Sequence, residues 1–325
     1  MDKFANEDDR HRDAEEYVAI QAGIDDCKGK DIFVFATVNN ISKLPSSLTR
    51  SGRFDRKIEI SSPCAEDAEN IIKHYLRNKK LDESVNFDDV VKMISYNSCA
   101  ELETIINEAA INAAFERQAS ISMKNFTDAI LKMQYDAPGN SFSKVSEEEV
   151  RKVALHEAGH LVVSEVLNPE SVGLASIRSF YSDATGGFVH ACKKLKHPSH
   201  DVLISLAGKA AVELYYPEYY AEGCQRDLNR ASVYIKEEII TDASRGFNML
   251  DIHDYDLSAS ASYLERCEAT IYAELERYMM KTKEILIKNR DFLEKITDAL
   301  CEKETLLFSD IRMICESSNI IAVNI

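Results

Sequence analysis

The stretch Val153-Ala-Leu-His156-Glu157-Ala-Gly-His160-Leu-Val-Val163 decides how this chain is read. On a helix of 3.6 residues per turn, positions four apart lie nearly above one another, so both imidazoles leave the same face. Two neutral imidazoles can then hold one Zn²⁺ at about 2.0–2.1 Å. Glu157 stands beside them to take a proton from the water that such a metal makes acidic. The competing reading is a solvated helix face that happens to carry two histidines. A catalytic zinc also needs a third protein ligand, so the motif is specific but incomplete.

Working outward, Ser146-Glu-Glu-Glu149 has the pattern of a capping box and starts this helix near 147, while Asn168-Pro169 stops it near 167. Val150, Val153, Leu161, Val162 and Val166 form its expected buried stripe. Upstream, Asp136-Ala-Pro-Gly-Asn-Ser-Phe-Ser143 gathers turn formers and reads as a linker. Helical periodicity precedes it over 65–77, 87–96, 100–118 and 123–133, with a short helix expected near 14–23. Two runs read as strands: Asp31-Ile-Phe-Val-Phe-Ala-Thr-Val38, apolar enough for burial on both faces, and Lys57-Ile-Glu-Ile60. Downstream, 171–192 suggests short strands, and helices are expected over 202–214, 227–241, 259–289 and 290–303, with helical periodicity to the end.

The length of 325 residues predicts about two domains. A hydrophobic fraction of 45% and a charged fraction of 29% are ordinary for soluble globular protein. A net charge of −16 argues against nucleic acid or an anionic membrane surface as partner. No apolar run is long enough to span a bilayer, and the N-terminus has no secretory apolar core, which predicts a cytoplasmic chain. The 8 cysteines are scattered without a C-x-x-C pair, which predicts free thiols in a reducing setting.

The third ligand should be a His, Glu or Asp on another element. Asp227, at the start of a helix in Glu222-Gly-Cys-Gln-Arg-Asp-Leu228, is one choice. Spacing alone does not choose it over Asp183, Glu165, Cys224 or the group His190, His197 and His200.

Over about 30–320 the sequence resembles the FtsH family of membrane-anchored, hexameric AAA+ zinc metalloproteases. His156 to His160 match the family's H-E-A-G-H in full. Glu222-Gly-Cys-Gln-Arg-Asp-Leu228 is similar to its T-G-A-S-N-D-L segment, so the resemblance implies Asp227 as third ligand, although only the glycine is kept among the segment's small residues. Leu206-Ala-Gly-Lys-Ala-Ala-Val-Glu-Leu214 resembles the family's L-x-G-R-A-A-E-E-L helix, and 281–295 with 302–306 resemble its C-terminal helices. Gly186-Gly-Phe-Val189 looks like the strand beside the active site, along which a substrate strand would add.

The first part resembles the latter half of an AAA+ module. There Asn39 falls at the polar sensor position, and Arg50 and Arg53 match the arginine pair that reaches a neighbouring subunit's nucleotide. Tyr96 to Leu102 and Asn107 to Ala110 resemble the small helical lid. No G-x-x-x-x-G-K-[ST] and no Mg²⁺-binding acid pair occur in the chain. The chain is therefore expected to start inside the module and to neither bind nor hydrolyse ATP alone, with ATP and Mg²⁺ entering only through an intact neighbour.

The expected fold is mainly α with a small α/β portion: a partial AAA+ module followed by a mostly helical zinc metallopeptidase domain. Its divisions are 1–64 (AAA+ α/β core), 65–135 (helical lid), 136–145 (linker) and 146–325 (peptidase). The resemblance implies a zinc endopeptidase acting on unfolded protein, with Glu157 as base and His156, His160 and Asp227 as metal ligands. It also implies assembly as a homo-oligomer, a hexamer, or with an intact AAA+ paralogue. The alternative is a silent scaffold that lends Arg50 and Arg53 to an ATPase oligomer. Of the lesser signals, His197 and His200 read as a solvated loop pair, Cys224 as a buried or capping thiol, and the tyrosines at 215, 216, 219 and 220 as packing.

Overall fold

The computed structural model describes residues 12–63, 65–137, 146–178, 186–193, 197–218, 224–241 and 261–323. Residues 138–145 of the expected linker, Asp183, Tyr219, Tyr220 and the 222–223 part of the segment before Asp227 lie outside them. In order come α1 (Arg12–Asp26), a 3₁₀ turn (Ile41–Lys43), α2 (Ser46–Thr49), α3 (Ala65–Leu76), α4 (Phe87–Ile94), α5 (Cys99–Phe115), α6 (Met123–Tyr135) and α7 (Glu147–Leu167). Then follow β1 (Val172–Ser176), β2 (Phe188–Ala191), α8 (Pro198–Tyr215), α9 (Gln225–Thr241), α10 (Ala261–Lys288), α11 (Arg290–Lys303), β3 (Thr305–Leu307) and α12 (Phe308–Glu316). The fold is mostly helical with one small three-stranded sheet, as expected.

The chain divides into two compact units, Met1–Ser61 and Ser62–Ile325. In the first, Tyr17, Ile24 and Leu48 form a small core joined by Ile20, Leu44 and Phe54. The two strands expected here are not formed. Residues 32–38 and 55–60 carry no regular structure, and the side chains of Phe33 and Phe35 stand 86% and 89% exposed. A strand needs a ladder partner for its backbone groups, and among the described residues neither run has one.

In the second unit α7 is the central helix, and its start is local chemistry. The Glu149 amide donates to Ser146 Oγ at 3.3 Å, and the Ser146 amide donates to Glu149 Oε2 at 3.1 Å. Glu147, Glu148 and Glu149 also place negative charge at the positive end of the helix dipole. The expected stripe is buried at Val153, Leu161, Val162 and Val166, but Ala154, Leu155, Ala158 and Val163 are buried too, so the helix is covered on nearly every side. Its far end is closed by Glu165, whose carboxylate accepts the amides of Glu170, Ser171 and Val172 at 2.7, 2.9 and 2.8 Å. Those three bonds hold the reversal into β1, where Glu170 takes a left-handed φ of 58°.

The sheet runs in the order β2-β1-β3, antiparallel throughout. β1 is buried along its whole length, with Leu174 opposite both His190 and Leu307. It separates two apolar clusters. Val172 and Ala175 join the core of α7, α8, α10 and α11, while Leu174 joins that of α3 to α6. A bulge between Val172 and Leu174 breaks the simple alternation of sides. β3 was expected to continue as helix; its three residues are drawn into a strand because β1 offers a free edge.

Polar links join α3–α6 to the rest of this unit. Asp89, buried in α4, accepts both the amide and the hydroxyl of Ser309 at 2.7 Å, capping the start of α12 from 220 residues away in sequence. Asp89→Ala leaves those donors unmet and should cost about 1–3 kcal/mol, read as a lower melting temperature at pH 7. An unchanged melt would mean that the cap contributes nothing.

The second link is aromatic. Tyr135 of α6 stacks on Phe188 of β2 with ring centroids 3.5 Å apart, and its hydroxyl lies 2.7 Å from His190 Nδ1. Burial holds the His190 imidazole down to about 4, against an ordinary value near 6.5, with a Ser95 backbone bond opposing it. A depressed histidine favours the folded state fully above about 6.5 and loses that contribution as pH falls towards 4. Lowering the pH from about 7 to about 5 should cost up to roughly 2 kcal/mol. His190→Gln should flatten that part of the stability profile, and an equally steep profile in the variant would assign it to other groups.

Candidate metal centre

Two helices bring the candidate ligands together. α7 supplies His156 and His160 one turn apart, and α9 supplies Asp227 in its first turn. His156 Nε2 lies 3.2 Å from Asp227 Oδ2, His160 Nε2 lies 3.4 Å from the same oxygen, and the two Nε2 atoms are 3.1 Å apart. Ligand atoms about 2.0–2.1 Å from a tetrahedral zinc stand roughly 3.3 Å from one another. The three donors thus have the spacing of one face of a zinc tetrahedron, and the set of two imidazoles and one carboxylate suits that ion. Among the described residues this is the one group of three or more His, Cys, Asp or Glu side chains so arranged.

The surroundings orient the rings. His160 Nδ1 lies 2.6 Å from the Ile204 carbonyl on α8, which requires Nδ1 to carry the hydrogen and leaves Nε2 bare for a metal. His156 Nδ1 has Cys224 Sγ at 3.9 Å. Burial disfavours charge on His156, but Asp227 and Cys224 outweigh it and push its value up to about 10 in the metal-free protein. Asp227 is also penalised by burial, yet the two imidazoles hold its carboxyl well below the usual range.

Glu157 is buried at 5% exposure, and burial pushes its carboxyl up, with Asp227 adding to that and the two imidazoles opposing it. Its side chain lies against Gly187, just before β2. A Cβ at position 187 would come within 2.5 Å of Glu157 Cγ and 2.7 Å of the Ser176 carbonyl, so only glycine admits the carboxylate there.

Of the alternatives for a third ligand, Glu165 is engaged by three amides, His190 faces Tyr135, and His197 is exposed at the N-cap of α8. Cys224 is buried and near the cluster, but it faces Nδ1 of His156 and not the Nε2 side where the other donors meet. Tyr215 and Tyr216 pack under the cations of Arg290 and Lys152. Arg50, Arg53 and Asn39 all belong to the first unit, with Arg50 and Asn39 exposed. Arg53 is 10% exposed and engaged: it pairs with Asp25 at 2.8 Å and donates to the Ser47 carbonyl at 2.6 Å.

Sequence reasoning placed Gly208 in a matched motif without giving it a role, and did not single out Tyr135. The signal for Gly208 was a glycine inside a helix otherwise rich in alanine, which asks for a packing reason. Nothing local marks Tyr135, because its partners are 53 and 55 residues away.

Two helix-borne histidines, an aspartate and a buried glutamate thus meet in one cluster, a donor set that suits zinc. The sequence model of Peptidase family M41 matches residues 143–314, and the chain belongs to that family. It is similar to the ATP-dependent zinc metalloprotease FtsH of Lachnoclostridium phytofermentans, with 30% identity over 96% of this chain and 54% of the relative. The FtsH of Thermotoga maritima is also 30% identical, over 94% of this chain and 53% of its own length. That of Caldicellulosiruptor bescii is 29% identical over 86% and 48%. The chain spans about half the length of the curated relatives it matches. Among the described residues no helix is long and apolar enough to cross a membrane.

Proposed function

We propose that this chain is a zinc endopeptidase of the FtsH type that hydrolyses unfolded polypeptide, with His156, His160 and Asp227 as zinc ligands and Glu157 as general base. The observation that carries this reading is the mutual spacing of three donor atoms at 3.1–3.4 Å with Glu157 buried next to them. Zinc held there supplies a Lewis acid that polarises the scissile carbonyl and makes water acidic enough to attack near neutral pH. Glu157 accepts the water's proton and returns it to the leaving amine. Its burial favours this task, since a carboxylate with a raised pKa is a stronger base than a surface one.

The wider assignment rests on the relatives, whose names describe ATP-dependent proteases. In this reading 1–64 belongs to an AAA+ core, 65–135 is its helical lid, 136–145 the linker and 146–325 the peptidase. Asn39, Arg50 and Arg53 serve a neighbouring nucleotide site in a homo-oligomer, a hexamer, or beside an intact AAA+ paralogue. ATP and Mg²⁺ enter through that neighbour. Arg53 must first leave Asp25 to do so.

The test is a metal assay combined with casein hydrolysis by the purified chain. About one zinc per chain is expected, with cleavage abolished by a strong chelator and restored by zinc. Zinc retained without any cleavage would favour the silent-scaffold alternative. No zinc at all would refute the proposal.

A further inference from the structure

Helix α8 supplies no metal ligand, yet two of its residues meet the metal-binding rings. The Ile204 carbonyl accepts the Nδ1 hydrogen of His160 at 2.6 Å. Four residues on, and therefore on the same helix face, stands the buried Gly208. A Cβ built there would lie 2.5 Å from His156 Cε1, 2.5 Å from His156 Nε2 and 2.5 Å from His160 Nε2. Carbon cannot approach ring atoms that closely, so a methyl at 208 would occupy space the two donor nitrogens need. Helix propensity pulls the other way, because alanine is preferred to glycine in a helix interior. Ala207, Ala210 and Ala211 surround the position, all fully buried. The helix thus uses alanine at these neighbouring sites and glycine where it faces the rings.

From this geometry we infer that Gly208 is a positioning residue for zinc binding, its missing side chain forming the cradle that lets both Nε2 atoms converge with Asp227. The inference rests on the proposal that His156, His160 and Asp227 hold zinc. Together Ile204 and Gly208 set the tautomer of one ring and the position of both, so the shape of the metal site is decided partly by a helix that never touches the ion.

Gly208→Ala in the full chain tests this. Zinc affinity, measured by competition with a chromophoric chelator, should fall about 10–100-fold, the usual effect of disturbing the groups that orient metal ligands. The visible absorption of the cobalt(II)-loaded protein should change in shape, because the coordination geometry is forced to alter. The metal-free variant should keep its helical circular dichroism, since unligated imidazoles can turn aside. If Gly208→Ala does not fold, His156→Ala and His160→Ala are added to it, which removes the atoms the methyl strikes. The triple variant should then fold as well as the double histidine variant, and a persisting defect would overturn the inference. Wild-type zinc affinity together with an unchanged cobalt spectrum in Gly208→Ala would overturn it alone. Failure of the unmutated chain to bind zinc would overturn the underlying metal assignment as well.

Discussion

Replacing Glu157 by Gln should leave zinc bound and lower cleavage of an unfolded substrate by roughly 10²–10⁴-fold, the worth of a positioned acid–base group. Glutamine keeps the shape of the side chain and its fit against Gly187, where there is no room for a larger change. What it lacks is a site that can take up a proton. Glu157 is at 5% exposure, and the two imidazoles and Asp227 all act on its charge, so the residue belongs to the cluster and not to a solvated surface. A solvated surface glutamate would predict a change within about 0.5 kcal/mol and no effect on rate. A metal assay and a fluorescent unfolded protein distinguish the outcomes. Loss of zinc together with activity would make Glu157 a support of the ligand set, with another group as base. Full activity with zinc in place would end the mechanism.

Asp227→Ala should lose zinc altogether on dialysis, an effect larger than the 10–100-fold that follows from disturbing outer groups. Asp227 carries the sole negative charge among the three donors, and its Oδ2 is within 3.4 Å of both Nε2 atoms. Two imidazoles alone leave the ion's double charge uncompensated in a half-buried site. The same change removes the carboxylate that pushes the His156 imidazole up, so that imidazole should titrate at a lower pH. Unchanged zinc content would hand the third position to another residue. Cys224 would be first in line, and Cys224→Ala combined with Asp227→Ala would decide it. The geometry opposes that outcome, since Sγ lies 3.9 Å from Nδ1, on the other edge of the ring from the shared Nε2 corner.

Much of this site is legible in the chain itself where the chemistry is local. Four-residue spacing on a helix put His156 and His160 on one face, and Ser146 with Glu149 marked where that helix begins, as the structure shows. Where helices lie was equally readable, because periodic burial is written within each segment: α3, α6 and α11 stand within two residues of their expected bounds. The runs at 31–38 and 57–60 had the composition of buried strands, but composition is not a ladder. Without a partner they carry no regular structure and stay largely exposed.

The remainder belongs to tertiary structure. Spacing alone left Asp227 among several acids, thiols and histidines, because a third ligand can come from any element that folding carries to the pair. α8 packs against both α7 and α9, and there Asp227 meets the two rings while Cys224 faces the Nδ1 edge of His156. β3 became a strand because β1 had an edge to fill, and Tyr135 reached Phe188 and His190 from 53 and 55 residues away in the chain. By itself the sequence determined which side chains α7 presents on one face, since that depends on neighbours one turn away. Only the folded chain decided which distant carboxylate joins the two imidazoles and which glycines make room beside them, since these depend on atoms meeting across 30 to 71 residues of chain.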